Sequence, residues 1–347
     1  MSPVEALLRQ EIARQGPVTV ARFMEVVLHH PQHGYYRTQK PLGREADFIT
    51  APEISSLFGE VIGGVLLAKA LSLSEEMPIH LIELGPGRGL LLQDILRVFQ
   101  LRPQVLSRLC VHLIDINMPY HPTLTAKSAP LKPFFYESYQ ELREKLPRGA
   151  VLLVANEFLD ALPVAQYERT KDSWTERAIS INPEGNLHFT SLPCPTGFSG
   201  PQAPAGAIIE RCPTAEELVQ QVSQDINART GMALFIDYGS LEPGFGDTLQ
   251  AIHRHRHVDP LSHLGEADLT CHVSFAPLVA HVMENNLSAH CMTQRDFLLH
   301  FGAASRLEHL LKKAGHRAKE SLIQSFNRLI SPTEMGTLFK VMMVEGS

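Results

Sequence analysis

The chain has 347 residues, a formal net charge of −6 and five cysteines with no C-x-x-C pair. This length predicts one large domain with additions or two domains, and the acidic balance argues against a main function in nucleic-acid binding. The odd number of scattered cysteines predicts free thiols. Because no signal-peptide pattern or apolar run of about 18 residues is present, we expect no transmembrane segment and a cytoplasmic location. The compartment would be the bacterial cytosol, or the mitochondrial matrix in a eukaryote.

The first 72 residues are predicted to form a mostly helical region. Apolar spacing predicts a helix over 4–14, a second from Val20 to Leu28 with Thr19 as its N-cap, and a third that starts at Ser55. The intervening 33–53 stretch is polar and interrupted by Gly and Pro. Loops of this length are uncommon unless they have a function, although a plain exposed connection is the alternative.

A glycine-rich turn follows a short apolar run at Leu81 and Ile82, and a helical pattern follows the turn. Gly85, Gly87 and Gly89 would let the backbone approach a ligand, and the helix N-terminus would offer free N–H groups. The spacing is G-x-G-x-G, whereas the dinucleotide fingerprint is G-x-G-x-x-G. This favours a nucleoside ligand without a pyrophosphate, such as S-adenosylmethionine, over NAD. The alternative is a turn that binds no ligand.

Strands and helices alternate from about residue 79 to residue 240, which predicts a doubly wound, mostly parallel sheet. Seven strands are predicted, at 81–84, 111–116, 133–136 on an edge, 151–155, 233–236, 287–293 and 338–344. Asp115 falls at the carboxyl end of the second strand, where an acidic residue would bind a ribose or would simply cap a turn. The 168–188 stretch predicts a β-hairpin, Leu192 to Gly206 a loop, and Thr214 to Ala228 a helix.

Two carboxylates and an amide follow the predicted strand at 151–155, which neighbours the 81–84 strand in the doubly wound order. Glu157 and Asp160 are three residues apart, so a helical turn would place both on one face. Such a pair suits a guanidinium, whose planar fork binds carboxylates in a bidentate way. Asn156 could fix a substrate nitrogen or a main-chain turn. The alternative is that the carboxylates cap the start of a following helix.

Three alternating histidines, His253, His255 and His257, would share one face of a strand. The arginines between them and the lack of a nearby acidic or thiol ligand argue against a metal, so no metal is expected. A basic loop near an anionic ligand or partner is the favoured interpretation.

A set of longer motifs narrows the interpretation. They are HGYY at 33–36, DFITAPE at 47–53, FGE at 58–60, ELGPGRG at 83–89, NEFLDALP at 156–163, DYG at 237–239, GDTLQA at 246–251 and DLT at 268–270. Together, over nearly the whole chain, they resemble the MidA family of S-adenosylmethionine-dependent methyltransferases.

The resemblance implies an α/β fold of the class I, Rossmann-like methyltransferase type, with a mostly parallel seven-stranded sheet and helices on both faces. It divides the chain into a helical N-terminal cap at 1–72, a core at 73–240 with an excursion at 165–210, an insertion over the active site at 241–275, and the remaining core at 276–347. A mitochondrial member methylates an arginine of a respiratory complex I subunit. The implied partner is therefore a protein with an accessible arginine, and no nucleic acid is expected.

The resemblance and the residues together assign roles. The glycine turn would seat S-adenosylmethionine, with Glu83 near its amino-acid part and Asp115 on its ribose. Glu157 and Asp160, helped by Asn156, would grip the guanidinium. The predicted substrate and lid residues are Tyr35, Tyr36, Asp237 and Tyr238.

The sequence departs from the family pattern at three positions, which are Ala46 for a usual Gly, Asp115 for a common Glu, and Ser274 for an Asp. Two other functions are kept as alternatives. One is a scaffold protein that retains the fold without turnover, and the other is a nicotinamide-dependent oxidoreductase. The sequence indicates no oligomeric state.

Overall fold

The computed structural model describes residues 1–38, 50–116 and 120–346. Contacts divide the chain into two units. The first contains Met1–Phe48, Asp160–Glu217 and Glu242–Ser274, and the second contains Ile49–Leu159, Leu218–Leu241 and Phe275–Ser347. The predicted cap boundary at residue 72 differs from this division, because the helix that ends there belongs to the second unit. The predicted excursion and insertion belong to the first unit together with the N-terminal helices.

The described helices and strands are numbered along the chain. The helices are α1 Pro3–Gln15, α2 Val20–His29, α3 Tyr35–Thr38, α4 Ala51–Ile54, α5 Ser56–Ser72, α6 Leu90–Phe99, α7 Pro103–Leu106, α8 His121–Lys127, α9 Tyr139–Lys145, α10 Pro213–Arg229, α11 Phe275–Glu284, α12 Gln294–His300, α13 Ala303–Lys313, α14 His316–Ile330 and α15 Met335–Leu338. The strands are β1 Val18–Thr19, β2 Ile79–Leu84, β3 Leu109–Ile114, β4 Phe134–Tyr136, β5 Ala150–Asn156, β6 Ala165–Arg169, β7 Trp174–Ile181, β8 Leu187–Pro193, β9 Ile208–Arg211, β10 Gly231–Ser240, β11 Gln250–His253, β12 Arg256–Val258, β13 Asp268–Thr270, β14 Val273–Ser274, β15 Ser288–Thr293 and β16 Phe339–Glu345.

Seven strands of the second unit form one sheet in the order β15-β16-β10-β5-β2-β3-β4. The five strands from β10 to β4 are parallel, and β16 is antiparallel to both of its neighbours. The apolar run of β5 is buried along its length, as expected for a parallel strand covered on both faces. The predicted α/β fold is confirmed, with β4 at the edge and β2 beside β5.

Helix α5 packs closely on α6 within the second unit. It begins after Ser55, whose side chain accepts a hydrogen bond from the Leu57 N–H group, so the predicted N-terminus is confirmed. A Cβ atom on Gly59 would lie 2.6 Å from the Cβ of Asp94 on α6, so glycine is needed for this close approach.

The first unit combines two N-terminal helices with antiparallel strands. Thr19 caps α2 through the Arg22 N–H group, as predicted. A five-stranded sheet has the order β1-β7-β6-β9, with β8 paired to β7, so the predicted hairpin is confirmed. Strand β9 was not predicted, since its four residues follow a Pro- and Gly-rich stretch that gives no alternating pattern. A second sheet has the order β12-β11-β13.

None of the helices in the described ranges combines the length and the apolarity that a membrane span requires.

Candidate functional site

The glycine turn after β2 adopts a backbone conformation that other residues rarely reach. Gly85, Gly87 and Gly89 have φ angles of 63°, 49° and 70°. The Gly85 N–H group donates to the carbonyl oxygen of Ile114 at 2.9 Å. A Cβ atom on Gly85 would lie 2.9 Å from Cδ2 of Phe158, so the absence of a side chain is also needed for space. The predicted turn between a strand and a helix is confirmed.

The helix after this turn begins with its backbone donors uncapped. Gly89 occupies the N-cap position of α6, and a glycine has no side chain to accept from the first N–H groups. The N-terminus of a ten-residue helix attracts anionic groups, because the free N–H groups and the helix dipole act together. This end of α6 is therefore suited to a ligand that carries a carboxylate.

Glu83 lies one residue before the end of β2 and is buried, with 3% of its surface exposed. Its Oε2 atom has no hydrogen-bond partner among the described residues. Burial, and to a smaller extent Asp115, raise the pKa of Glu83 to about 8 against an opposing effect of Lys127. Asp115 itself follows β3, as predicted, and its N–H group donates to the Tyr136 carbonyl oxygen at 3.1 Å. An unpaired buried acceptor next to a glycine cradle fits a ligand that has an ammonium group.

The acidic turn, defined as residues 156–159, begins at Asn156, the last residue of β5. Glu157 has a φ angle of 51°, which is uncommon for a residue with a side chain and must be held by its surroundings. Its N–H group donates to the Ile236 carbonyl oxygen at 2.9 Å. Its Oε1 atom accepts from Asn156 Nδ2 at 3.0 Å and from the Ala51 N–H group at 3.2 Å. Asn156 thus orients Glu157, and the Asn156 Oδ1 atom is buried without a partner among the described residues.

Asp237 holds the acidic turn from the neighbouring strand β10. Its side chain is fully buried, and Oδ2 accepts from the N–H groups of Phe158 at 3.1 Å and Leu159 at 2.9 Å. Its Oδ1 atom accepts from the Tyr238 N–H group at 3.0 Å. Tyr238 is buried and packs edge-on against Phe339. In this structure Asp237 therefore acts on the turn, a role that the sequence did not indicate.

The predicted helical turn over 157–160 is wrong. Residues 157–164 form bends and turns, and the next regular element is the strand β6. The physical reason is the left-handed φ angle of Glu157, which an α-helical turn does not allow, and the Asp237 carboxylate accepts from the next two N–H groups. The alternative in which Glu157 and Asp160 cap a following helix is excluded for the same reason.

Asp160 begins a segment of the first unit and is buried, with 7% of its surface exposed. Its carbonyl oxygen accepts from the Cys271 N–H group at 3.0 Å. In the same unit the Tyr36 hydroxyl donates to Asp268 Oδ1 at 2.9 Å, and burial together with Asp268 and Asp160 raises the pKa of Tyr36. The first unit therefore brings Tyr36, Asp160 and Asp268 together. Asp268 was not predicted as a site residue, although it belongs to a motif that carried the family resemblance.

Tyr35, the other predicted tyrosine of the HGYY motif at 33–36, is fully buried in the core of the first unit. Its neighbour Tyr36 stacks on His29, with ring centroids 5.7 Å apart. The departure from the family pattern at Ala46, and residues 47–49 of the second motif, lie outside the described residues.

The alternating histidines lie on the hairpin of β11 and β12, where the favoured prediction was a basic loop. His253 ends β11, Arg254 and His255 form a turn with positive φ angles, and β12 returns antiparallel. Instead, ligand atoms of His253, His263 and Glu266 lie within 4.8 Å of one another. The two imidazole rings are stacked at an interplanar angle of 7°. Since imidazole lone pairs lie in the ring plane, one ion could not coordinate both rings as they stand.

Comparison with known proteins identifies the family. A sequence profile described as "Putative S-adenosyl-L-methionine-dependent methyltransferase" matches residues 61–293. The chain belongs to this family. The protein arginine methyltransferase NDUFAF7, mitochondrial, of Mus musculus is 34% identical over 372 residues, which cover 98% of this chain and 83% of the mouse protein. The protein of the same name from Homo sapiens is 33% identical over 374 residues, which cover 97% and 83%.

A solved structure supports the same assignment. A Burkholderia thailandensis protein crystallised with S-adenosyl-homocysteine superposes with a TM-score of 0.83 at 28% sequence identity, over 99% of this chain and 92% of that one. The predictions of the family and of S-adenosylmethionine as the cofactor are confirmed. The alternative of a nicotinamide-dependent oxidoreductase is set aside. The roles of individual site residues stay predictions.

Proposed function

We propose that this methyltransferase transfers its methyl group to an arginine side chain of a protein, and that Glu157 binds the guanidinium. The observation that carries the proposal is the position of Glu157 relative to the glycine turn. Strands β2 and β5 are paired in parallel, with Leu84 opposite Ala155. The glycine turn starts one residue after Leu84, and Glu157 comes two residues after Ala155. The glycine turn and the Glu157 carboxylate therefore follow neighbouring strands and lie at the carboxyl ends of those strands.

The chemistry suits a carboxylate at this place. Bound S-adenosylmethionine supplies an electrophilic methyl group on a sulfonium. The bond from sulfur to the methyl carbon breaks as a guanidinium nitrogen forms its new bond to that carbon, and the nitrogen then gives up a proton. Glu157 would orient the nitrogen toward the methyl group, and alignment of this kind contributes up to about 7–11 kcal/mol in favourable cases. A negative carboxylate would also stabilise the cationic acceptor.

Two features of the turn support an orienting role for Glu157. Asn156 Nδ2 and the Ala51 N–H group both donate to Oε1, so the carboxylate is fixed before any acceptor binds. The left-handed backbone at Glu157 is an uncommon conformation, of the kind that concentrates at functional sites. A side chain that is held in this way loses little entropy on binding.

The finer parts of the proposal come from the relatives. The mouse and human proteins are named as protein arginine methyltransferases, which makes arginine the first acceptor to test. The prediction that Asp160 is a second acidic residue for the acceptor is kept as a proposal. A respiratory complex I subunit is the first acceptor protein to examine. The proposed location is the bacterial cytosol or the mitochondrial matrix, and the five cysteines are free, as a reducing compartment requires.

The test uses extract from cells that lack this gene. Purified protein is added with S-adenosylmethionine that carries a labelled methyl group, and the hydrolysed proteins are analysed for labelled amino acids. We expect label in methylarginine with the wild-type protein. With Glu157→Gln we expect at least a 100-fold lower rate, while the dissociation constant for S-adenosyl-homocysteine stays within about twofold.

The control is Glu144→Gln, which removes a carboxylate from the exposed end of α9 and should change neither quantity. Label that appeared only in other amino acids would overturn the arginine proposal. An unchanged rate for Glu157→Gln would overturn the role of this carboxylate.

A further inference from the structure

Glu53 lies on the short helix α4, close to the glycine turn, and no role has been assigned to it so far. Its side chain is 11% exposed, and its Oε1 atom accepts a hydrogen bond from Arg88 Nη1 at 3.1 Å. Arg88 is part of the glycine turn, and its side chain is 47% exposed. An ion pair with one partner half in solvent contributes little to stability. Stability alone therefore gives no strong reason to keep this pair.

The second oxygen of Glu53 is the informative atom. Oε2 is buried, and within the described part of the chain it has no hydrogen-bond partner. A buried acceptor without a donor is destabilising, and more so when it is charged. Glu83 presents the same feature at its own Oε2 atom. Two unpaired carboxylate oxygens in one region indicate a ligand with several hydrogen-bond donors.

Electrostatic interactions show that these groups surround one region of the second unit. Burial and Arg88 lower the pKa of the Lys127 ammonium, whereas Asp94, Glu53 and Glu83 raise it. Burial also raises the pKa of Tyr120, which Arg88 lowers and Asp115 and Glu53 raise. Glu53 and Arg88 thus act on the same neighbours as Glu83 and Asp115, the two acidic residues predicted to bind the donor.

The amino-acid end of S-adenosylmethionine complements this pair. It carries an ammonium with three N–H donors and, on the same carbon, a carboxylate. An ammonium can satisfy two carboxylate oxygens at once, and the planar guanidinium of arginine matches a carboxylate. We propose that Glu53 and Arg88 bind the amino-acid end of the methyl donor, Glu53 through Oε2 to the ammonium and Arg88 to the carboxylate, next to Glu83 and the N-terminus of α6.

Helix α4, which contains Glu53, also contacts Glu157, the residue proposed to bind the acceptor. This contact affects the choice of variant. The Ala51 N–H group donates to Glu157 Oε1, so a variant that unfolds α4 would disturb Glu157 as well. Glu53→Gln keeps the size of the side chain and removes only the charge. The measurement is therefore a binding constant rather than a rate.

Calorimetry with two ligands tests the proposal. S-adenosyl-homocysteine has the amino-acid end, and 5′-methylthioadenosine lacks it but keeps the nucleoside. For both Glu53→Gln and Arg88→Gln we expect the dissociation constant for S-adenosyl-homocysteine to rise about tenfold, as the loss of a charge-assisted hydrogen bond implies. The dissociation constant for 5′-methylthioadenosine should stay within about twofold.

Glu60→Gln is the matched control. Glu60 accepts from Arg306 Nε at 2.7 Å, so this variant also removes the charge of a glutamate paired with arginine in the same unit. It should leave both dissociation constants unchanged. Equal weakening of both ligands by Glu53→Gln, or no change in either, would overturn the proposal. Neither ligand is a sulfonium, so no methyl transfer takes place and the result is independent of the arginine acceptor proposed above.

Discussion

The glycine turn and the acidic turn, which follow the neighbouring strands β2 and β5, are built in different ways. The glycine turn takes its shape from its own residues, since three glycines supply three left-handed φ angles. The acidic turn contains no glycine, and Glu157 reaches its left-handed conformation only under constraint. The constraint is the carboxylate of Asp237, which lies about 80 residues further along the chain and binds the turn N–H groups.

This difference has a consequence for variants. A change within the glycine turn should act directly on donor binding, because the backbone there is the predicted binding surface. A change at Asp237 acts at a distance, because it releases the turn that carries Glu157.

Gly87→Val should give the largest effect. A β-branched residue is strained at a φ angle of 49°, and its side chain would project from the turn that binds the donor. We expect at least a 100-fold loss in affinity for S-adenosyl-homocysteine by calorimetry, equivalent to about 2.8 kcal/mol. Gly244→Val is the control, because a Cβ atom there meets nothing within 4 Å. Unchanged affinity for Gly87→Val would show that the donor binds elsewhere.

Asp237→Asn should disturb the acidic turn without disturbing the glycine turn. An asparagine presents one oxygen and an NH₂ group, so at least one of the N–H groups that Asp237 binds would lose its acceptor, at a cost of about 1–3 kcal/mol. We expect the methyl-transfer rate to fall about tenfold or more, while affinity for S-adenosyl-homocysteine stays within about threefold.

The control for this variant is Asp225→Asn, which removes a buried charge that accepts from the Tyr139 hydroxyl at 2.9 Å in the same unit. It should lower the free energy of unfolding by a similar amount and leave transfer intact. If Asp237→Asn behaved in the same way as the control, its role would be stability alone.

The third prediction concerns the proton on Glu83. Its pKa of about 8 lies above the ordinary value of 4.5, so Glu83 contributes stability in its protonated form. That contribution is complete below pH 4.5 and is lost as the pH rises through about 8. An ammonium bound beside Glu83 favours the ionised form, so donor binding should release a proton. Affinity for S-adenosyl-homocysteine should therefore rise between pH 6 and 8, by at most about tenfold per pH unit.

The measurement is calorimetry at pH 7 in buffers with different ionisation enthalpies, which counts the released protons. The wild-type protein should release a fraction of a proton, and Glu83→Gln should release none and lose the pH dependence. Proton release that is the same in both proteins would place the titrating group elsewhere.

Several elements of both units could be predicted because their signals are local. The apolar run of β5 predicted a buried parallel strand, and Ser55 and Thr19 predicted two helix starts that the structure has. Strand β9 was not predicted, and the hairpin at His253 was predicted as a basic loop, since neither segment carries a distinctive pattern. The grouping of the 160–217 segment with the N-terminal helices depends on contacts between distant parts of the chain, which no local pattern encodes.

The sequence by itself determined the glycine turn and the family, because glycine spacing and long motifs are properties of consecutive residues. Only the tertiary structure decided the shape of the acidic turn, the use of Asp237 and the pairing of Glu53 with Arg88. Those features depend on hydrogen bonds between residues far apart in the chain. Such bonds form only when the sheet brings strand ends together, and no spacing rule in the sequence specifies them.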